Sequence, residues 1–185
     1  MRILGISGSL RRGSHNRKLL QAAADALPPG ASLEAWEGIA ALPAYDEDLD
    51  DVPAPPAVET LRRAIEHADA LLIATPEYNA GVPGGLKNAI DWASRPFPDN
   101  ALRGKPALVI GASTGLFGAV WAQADVRKSL KFAGAHVLEN EVPVGLADDA
   151  FDEDGSLKAP ELRDLLQDAV TTLVREVDAP VEQAA

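Results

Sequence analysis

The sequence contains no cysteine. That excludes disulfides, thiolate catalysis, and any zinc–thiolate or iron–sulfur centre. Histidine is scarce, and His15, His67 and His136 are scattered. None has a carboxylate or a second histidine at ligand spacing, so no metal site is expected. Long apolar runs are missing too, which leaves no membrane span to expect. The opening Met1-Arg2-Ile3-Leu4-Gly5-Ile6 is too short and too quickly polar for a signal peptide, so a cytoplasmic location is expected. Without thiols or metals, any redox chemistry has to come from an organic cofactor.

Positive charge is also in short supply. Lysine and arginine number 17 against 28 acids, a net charge of −11. Such a field repels nucleic acid and anionic membranes, and neither is expected as a partner. The distribution is uneven. Residues 1–24 hold Arg2, Arg11, Arg12, Arg17 and Lys18 and no acid. Residues 34–59 hold Glu34, Glu37, Asp46, Glu47, Asp48, Asp50, Asp51 and Glu59 and no base. A solvated basic face would need no further explanation; the sharper alternative is a bound anion near residues 9–18.

What the chain does have is short apolar runs alternating with helical periodicity. Ile3–Ile6, Leu33–Trp36 (weaker), Ala70–Ala74, Ala107–Ile110 and Ala135–Leu138 pattern as strands, the strongest of them continuously apolar. Leu19, Leu20, Ala23, Ala24 and Leu27 recur at helical spacing, and Pro28-Pro29-Gly30 ends that helix. Further helices are expected over 58–67, from Pro83 onward, over 118–132 and from Pro160. Residues 38–57, rich in Pro, Asp and Ala, pattern as a long surface loop. Strands buried on both faces and separated by helices imply a parallel sheet covered on both sides. The expected fold class is α/β: a flavodoxin-like, three-layer, doubly wound sheet of five parallel strands in the order 2-1-3-4-5. It forms one domain over residues 1–178, with 179–185 as a flexible tail.

Ligands of such sheets bind beyond the carboxyl ends of the strands, at the switch between strands 1 and 3. The loop after strand 1 is Gly8-Ser9-Leu10-Arg11-Arg12-Gly13-Ser14-His15-Asn16. Gly, Ser and Asn suit a tight turn with inward N–H groups, and the helix start adds free N–H groups and partial positive charge. Arg11 can add charge-assisted hydrogen bonds, and Ser9, Ser14 and Asn16 further donors. This pattern predicts a site for a terminal phosphate. It is neither a P-loop nor a GxGxxG fingerprint. Ser14 as a simple helix cap is the plainer alternative. After strand 3, Tyr78 offers an aromatic face and Asn79 an amide for a heterocycle edge. After strand 4, the glycines of Gly111-Ala112-Ser113-Thr114-Gly115 let backbone N–H groups approach a flat ligand. A mononucleotide with a large heterocycle suits that combination.

Gly8-Ser9-Leu10-Arg11 with Ser14 and Asn16, Pro76-Glu77-Tyr78-Asn79, and Pro83-Gly84-Gly85-Leu86-Lys87-Asn88-Ala89-Ile90-Asp91-Trp92 together resemble the NAD(P)H-dependent FMN reductase family. The likeness continues through Gly111, Ser113, Gly115, Ala122, Gln123 and Arg127, and spans about residues 2–175. The resemblance implies that Ser9, Arg11, Ser14, His15 (through its backbone) and Asn16 hold the FMN phosphate. It implies that Pro76, Glu77, Tyr78 and Asn79 line the flavin ring, and that Ser113, Thr114 and Gly115 reach its other edge. It further implies hydride transfer from NADPH or NADH to FMN, and then to a quinone, flavin or similar small acceptor. No catalytic residue is expected, since Tyr78 and Asn79 only shape the site. A homodimer or homotetramer is implied, with Trp92 and the helix from Pro83 as contact surface or, for Trp92, core burial instead. Many members have Ser at Gly81, so a loosened turn is expected there. A non-enzymatic flavodoxin-like electron carrier is the alternative. The sequence separates neither NADH from NADPH nor one acceptor from another.

Overall fold

The computed structural model describes residues 1–50 and 53–179. Asp51 of the acidic segment and, apart from Ala179, the expected tail lie outside them.

Continuous apolar runs become the three central strands: β1 (Arg2–Ser7), β3 (Ala70–Thr75) and β4 (Pro106–Ala112). Every residue of β3 is buried. β2 (Ser32–Trp36) is the outer strand, and its mixed pattern reflects that edge position. All pairings are parallel, in the order β2-β1-β3-β4-β5, as expected.

The fifth position departs from the expected single strand over 135–138. Two short pieces share that edge of β4. β5 (His136–Val137) pairs with Pro106 and Ala107, and β6 (Pro143–Val144) pairs with Gly111 and Ala112. Pro143 has no N–H to give a ladder, a loss tolerated at an edge.

Because side chains alternate across a strand, each strand feeds two cores. Leu4, Ile6, Leu71, Ile73 and Val109 face α2 (Pro56–Glu66), α3 (Gly84–Ala93) and α4 (Val120–Phe132). Ile3, Leu72, Leu108 and Ile110 face α1 (His15–Asp25) and α5 (Pro160–Asp178). Helix ends fall within two residues of expectation, except that Pro83 precedes α3 as its N-cap. The expected loop over 38–57 contains two 3-10 turns, Gly38–Ala41 and Glu47–Leu49, and the start of α2.

Trp92 is a core residue and not part of a contact surface: it is fully buried. Its indole Nε1 donates to the Pro43 carbonyl at 2.9 Å, and the ring meets Tyr45 edge-on at 4.9 Å. One turn earlier, Asn88 Nδ2 donates to the same carbonyl at 2.8 Å, while its Oδ1 accepts from the Tyr45 amide at 2.8 Å. The Asn88 and Trp92 pair therefore fastens the 43–45 backbone onto α3.

Candidate functional site

β1, β3 and β4 end side by side, so the loops that leave Ser7, Thr75 and Ala112 converge. They enclose a cleft of about 110 Å³. It is lined by Ser9, Arg11, Ser14, His15, Asn16, Pro76, Glu77, Tyr78, Ser113 and Thr114. Asn79 and Gly115, expected with them, are not in its lining.

The first loop supplies donors. Ser14 is the N-cap of α1, and its buried hydroxyl accepts from the Arg17 amide at 3.3 Å. That hydroxyl still has a proton to give. The amides of His15 and Asn16 occupy the first turn, where no intrahelical acceptor exists. Arg11 is exposed, and its only hydrogen bond among the described residues is a 3.2 Å contact from Nη2 to the Gly13 carbonyl. The guanidinium is free to turn toward an anion.

Asn16 is deeply buried for another reason. Its Nδ2 donates to the Ala112 carbonyl at 2.9 Å, and its Oδ1 accepts from the Ala112 amide at 3.0 Å. This side chain ties the start of α1 to the end of β4, leaving the backbone N–H for a ligand. The His15 ring points elsewhere: Nε2 lies 3.0 Å from Asp148 Oδ1, and the ring stacks on Phe151 at 6.2 Å. A backbone role for His15 suits that placement.

The second loop is a tight hairpin. Tyr78 and Gly81 exchange two backbone hydrogen bonds at 3.2 and 3.1 Å, with Asn79 (φ 52°) and Ala80 (φ 57°) both left-handed at its tip. Asn79 is favoured in that conformation, whereas Ala80 is strained by it. Two backbone bonds close the turn at Gly81 without any hydroxyl. A Cβ at Gly81 would meet nothing nearer than Asp125 Oδ2 at 3.7 Å, so a serine would fit.

Glu77 does more than line the cleft. Its Oε2 accepts from the amides of Trp121 and Ala122, each at 3.0 Å. Helix α4 has no side-chain cap of its own, because Ala119 stands at that place in left-handed backbone. The carboxylate of one loop thus caps the helix that follows the next.

The third loop is laced to the segment after β5. Ser113 N donates to the Val144 carbonyl at 3.0 Å, and Leu146 N to the Gly115 carbonyl at 3.0 Å. Gly118 has φ +60°, and a Cβ there would lie 2.3 Å from the Pro143 carbonyl carbon. Only glycine permits that approach. Ser113 Oγ accepts from Gly115 N at 3.1 Å, which leaves the Gly115 amide engaged within the loop.

These features suit an FMN phosphate: a positive side chain that can move, a capping hydroxyl, and two free amides at a helix start. Among the described residues there is no group of side chains able to hold a metal, and no helix long and apolar enough to cross a membrane.

Comparison with known proteins agrees with this chemistry. The profile of the NADPH-dependent FMN reductase family matches residues 1–149. An NAD(P)H-dependent FMN reductase of Pseudomonas aeruginosa is 48% identical over 174 residues, covering 94% of this chain and 93% of that protein. A quinone reductase of Escherichia coli K12 is 42% identical over 139 residues, 75% of this chain and 73% of its own. Among solved structures, the flavoenzyme NAD(P)H:(acceptor) oxidoreductase of Paracoccus denitrificans superimposes with a TM-score of 0.83 at 37% identity, covering 96% and 97% of the two chains.

Proposed function

The chain belongs to the NADPH-dependent FMN reductase family, and on that premise we propose that the cleft between its first and second loops holds the FMN phosphate. The protein is an NAD(P)H-dependent, FMN-containing oxidoreductase acting on a small-molecule acceptor. Bound FMN supplies a two-electron carrier between NAD(P)H and a quinone, flavin or similar acceptor.

The chain's own groups bind and orient. Arg11, the Ser9 and Ser14 hydroxyls and the amides of His15 and Asn16 grip the phosphate. Pro76, Glu77, Tyr78 and Asn79 support one side of the ring, and Ser113, Thr114 and Gly115 meet the other. Backbone N–H donors near a developing negative charge stabilise it without reorganising. Leu116, Phe117 and Trp121 follow the third loop, are exposed, and include an edge-on Phe117–Trp121 pair at 5.3 Å. They offer an apolar rim on which a flat acceptor can stack.

The observation that carries this assignment is the convergence of Arg11, the Ser14 cap and the free helix-start amides on one cleft. Stopped-flow mixing of the flavin-loaded protein with NADH or NADPH tests it. Flavin absorbance should fall faster than steady-state turnover, and a slower fall would remove flavin from the reaction path.

The same proposal takes residues 1–178 as a single FMN-binding domain, located in the cytoplasm where NAD(P)H is regenerated. It takes the active form as a homodimer or homotetramer. Phe97 and Phe132, 68% and 90% exposed near α3 and α4, support that assembly. Light scattering should give a multiple of the chain mass, and a stable monomer would refute it.

A further inference from the structure

The apolar rim proposed above for the acceptor holds one unpaired charge. Trp121 and Asp125 lie four residues apart on α4, so their side chains share a face of that helix. Asp125 is half-buried and reaches the second loop, where its Oδ2 stands 3.7 Å from the position of a Cβ on Gly81. Among the described residues its carboxylate makes no ion pair or hydrogen bond; Ser129 Oγ donates to its main-chain carbonyl instead, at 2.9 Å. The bases that follow it on α4 are committed elsewhere. Arg127 pairs with Glu141 and Lys131 with Glu139. Lys128 lines a different cleft, between α3 and α4.

A second attraction for anions is also spent. A helix start offers free N–H groups and partial positive charge. At α4 the Trp121 and Ala122 amides already donate to the Glu77 carboxylate, each at 3.0 Å. An anion stacked on Trp121 would therefore face the Asp125 charge with the helix start already compensated. An uncharged ring meets no such penalty on the edge-on Phe117–Trp121 pair. We propose that Asp125 sets the charge selectivity of the acceptor site, so that it takes uncharged flat acceptors and disfavours anionic ones. The proposal rests on the reductase assignment above and narrows its acceptor class.

Asp125 acts on charge and not on the electron transfer itself. Whichever quinone enters, NAD(P)H and one proton convert it to the hydroquinone and leave NAD(P)+. A neutral quinone and a sulfonated one share the ring that stacks and differ in the charge that Asp125 faces. Two like charges about 8 Å apart in a half-solvated setting cost about fivefold in affinity. Salt screens that repulsion.

Calorimetry on the oxidised, FMN-loaded protein tests this with naphthalene-2-sulfonamide and naphthalene-2-sulfonate. The two share a ring, neither is reduced, and only the second is charged. The sulfonamide should bind more tightly. Asp125→Asn should tighten sulfonate binding relative to sulfonamide by about fivefold, and high salt should shrink that gain. Asp164→Asn removes the same single charge from the exposed side of α5 and should leave the ratio alone. Trp121→Ala should weaken both ligands, because it removes the stacking plane. In steady-state assays, kcat/KM for menadione relative to 1,4-naphthoquinone-2-sulfonate should fall in Asp125→Asn by the same factor. A selectivity that ignores Asp125→Asn, or that follows Asp164→Asn equally, would overturn the proposal, as would ligands indifferent to Trp121→Ala. If NADH and NADPH both leave the flavin oxidised, the reductase assignment fails instead, and the titrations still judge the rim.

Discussion

Glu77 and Trp121 stand 44 residues apart in the chain, yet the carboxylate of the first accepts the amide hydrogen of the second at 3.0 Å. The adjacent Ala122 amide joins them. A negative group at a helix start satisfies orphan N–H groups and opposes the positive end of the dipole. Since Ala119 offers no side-chain cap, α4 depends on this distant one. Glu77→Ala should cost about 1–2 kcal/mol in urea unfolding. Glu77→Gln keeps an acceptor but loses the charge, and should recover part of that loss.

Arg11 is the charged group of the proposed phosphate site. Arg11→Ala should weaken FMN binding by about 2 kcal/mol, roughly thirtyfold, because the phosphate would keep only neutral donors. Flavin fluorescence titration of the apoprotein measures it. Arg11 is exposed and, among the described residues, bonded only to Gly13, so the melting temperature of the apoprotein should not move. An unchanged dissociation constant would count against the site.

Much of this was legible in the sequence, and the exceptions share a cause. β1, β3 and β4 are continuous apolar runs, and burial on both faces admits little else there. The first loop was legible because Gly, Ser and Asn directly follow a strand and open a helix. Illegible were contacts whose partner is backbone, which carries no residue code. Asn16 binds Ala112, Glu77 binds Trp121 and Ala122, and Asn88 and Trp92 bind Pro43, all through main-chain atoms. Position along the chain does not reveal such pairs. The broken fifth strand was hidden for a related reason: β5 and β6 are two residues each and owe their place to β4. Arg17 and Glu37 belong to the basic and acidic segments, but only the packing of α1 beside the end of β2 brings the two together.

The α3 motif around Asn88 and Trp92 should prove structural and not flavin-binding. Asn88→Ala would leave the Tyr45 amide without its acceptor and the Pro43 carbonyl with one donor fewer. The expected cost is about 1–3 kcal/mol in urea unfolding. Trp92→Phe removes the other donor and part of a fully buried ring, with a cost in the same range of about 1–3 kcal/mol. Both variants that fold should bind FMN as the wild type does. A loss of FMN affinity without loss of stability would place the motif at the cofactor.

Lys105 gives the fold a pH signature away from the site. Its Nζ donates to the Ala68 carbonyl at 2.5 Å. Burial holds its pKa below the ordinary lysine value of 10.5, with Asp69 and Glu66 pulling weakly the other way. The native lysine therefore releases its proton before the unfolded one does. Between the two pKa values the unfolded chain binds more protons, so stability from this group rises with pH. Below that window the burial penalty on the charge is fully present. Lys105→Met has no such group to titrate. The unfolding free energy of wild type relative to Lys105→Met should therefore rise from pH 8 to pH 10.5, measured by urea midpoints at constant ionic strength. A difference that is flat or falling over that range would mean the ammonium is as well solvated in the native protein as in the unfolded chain.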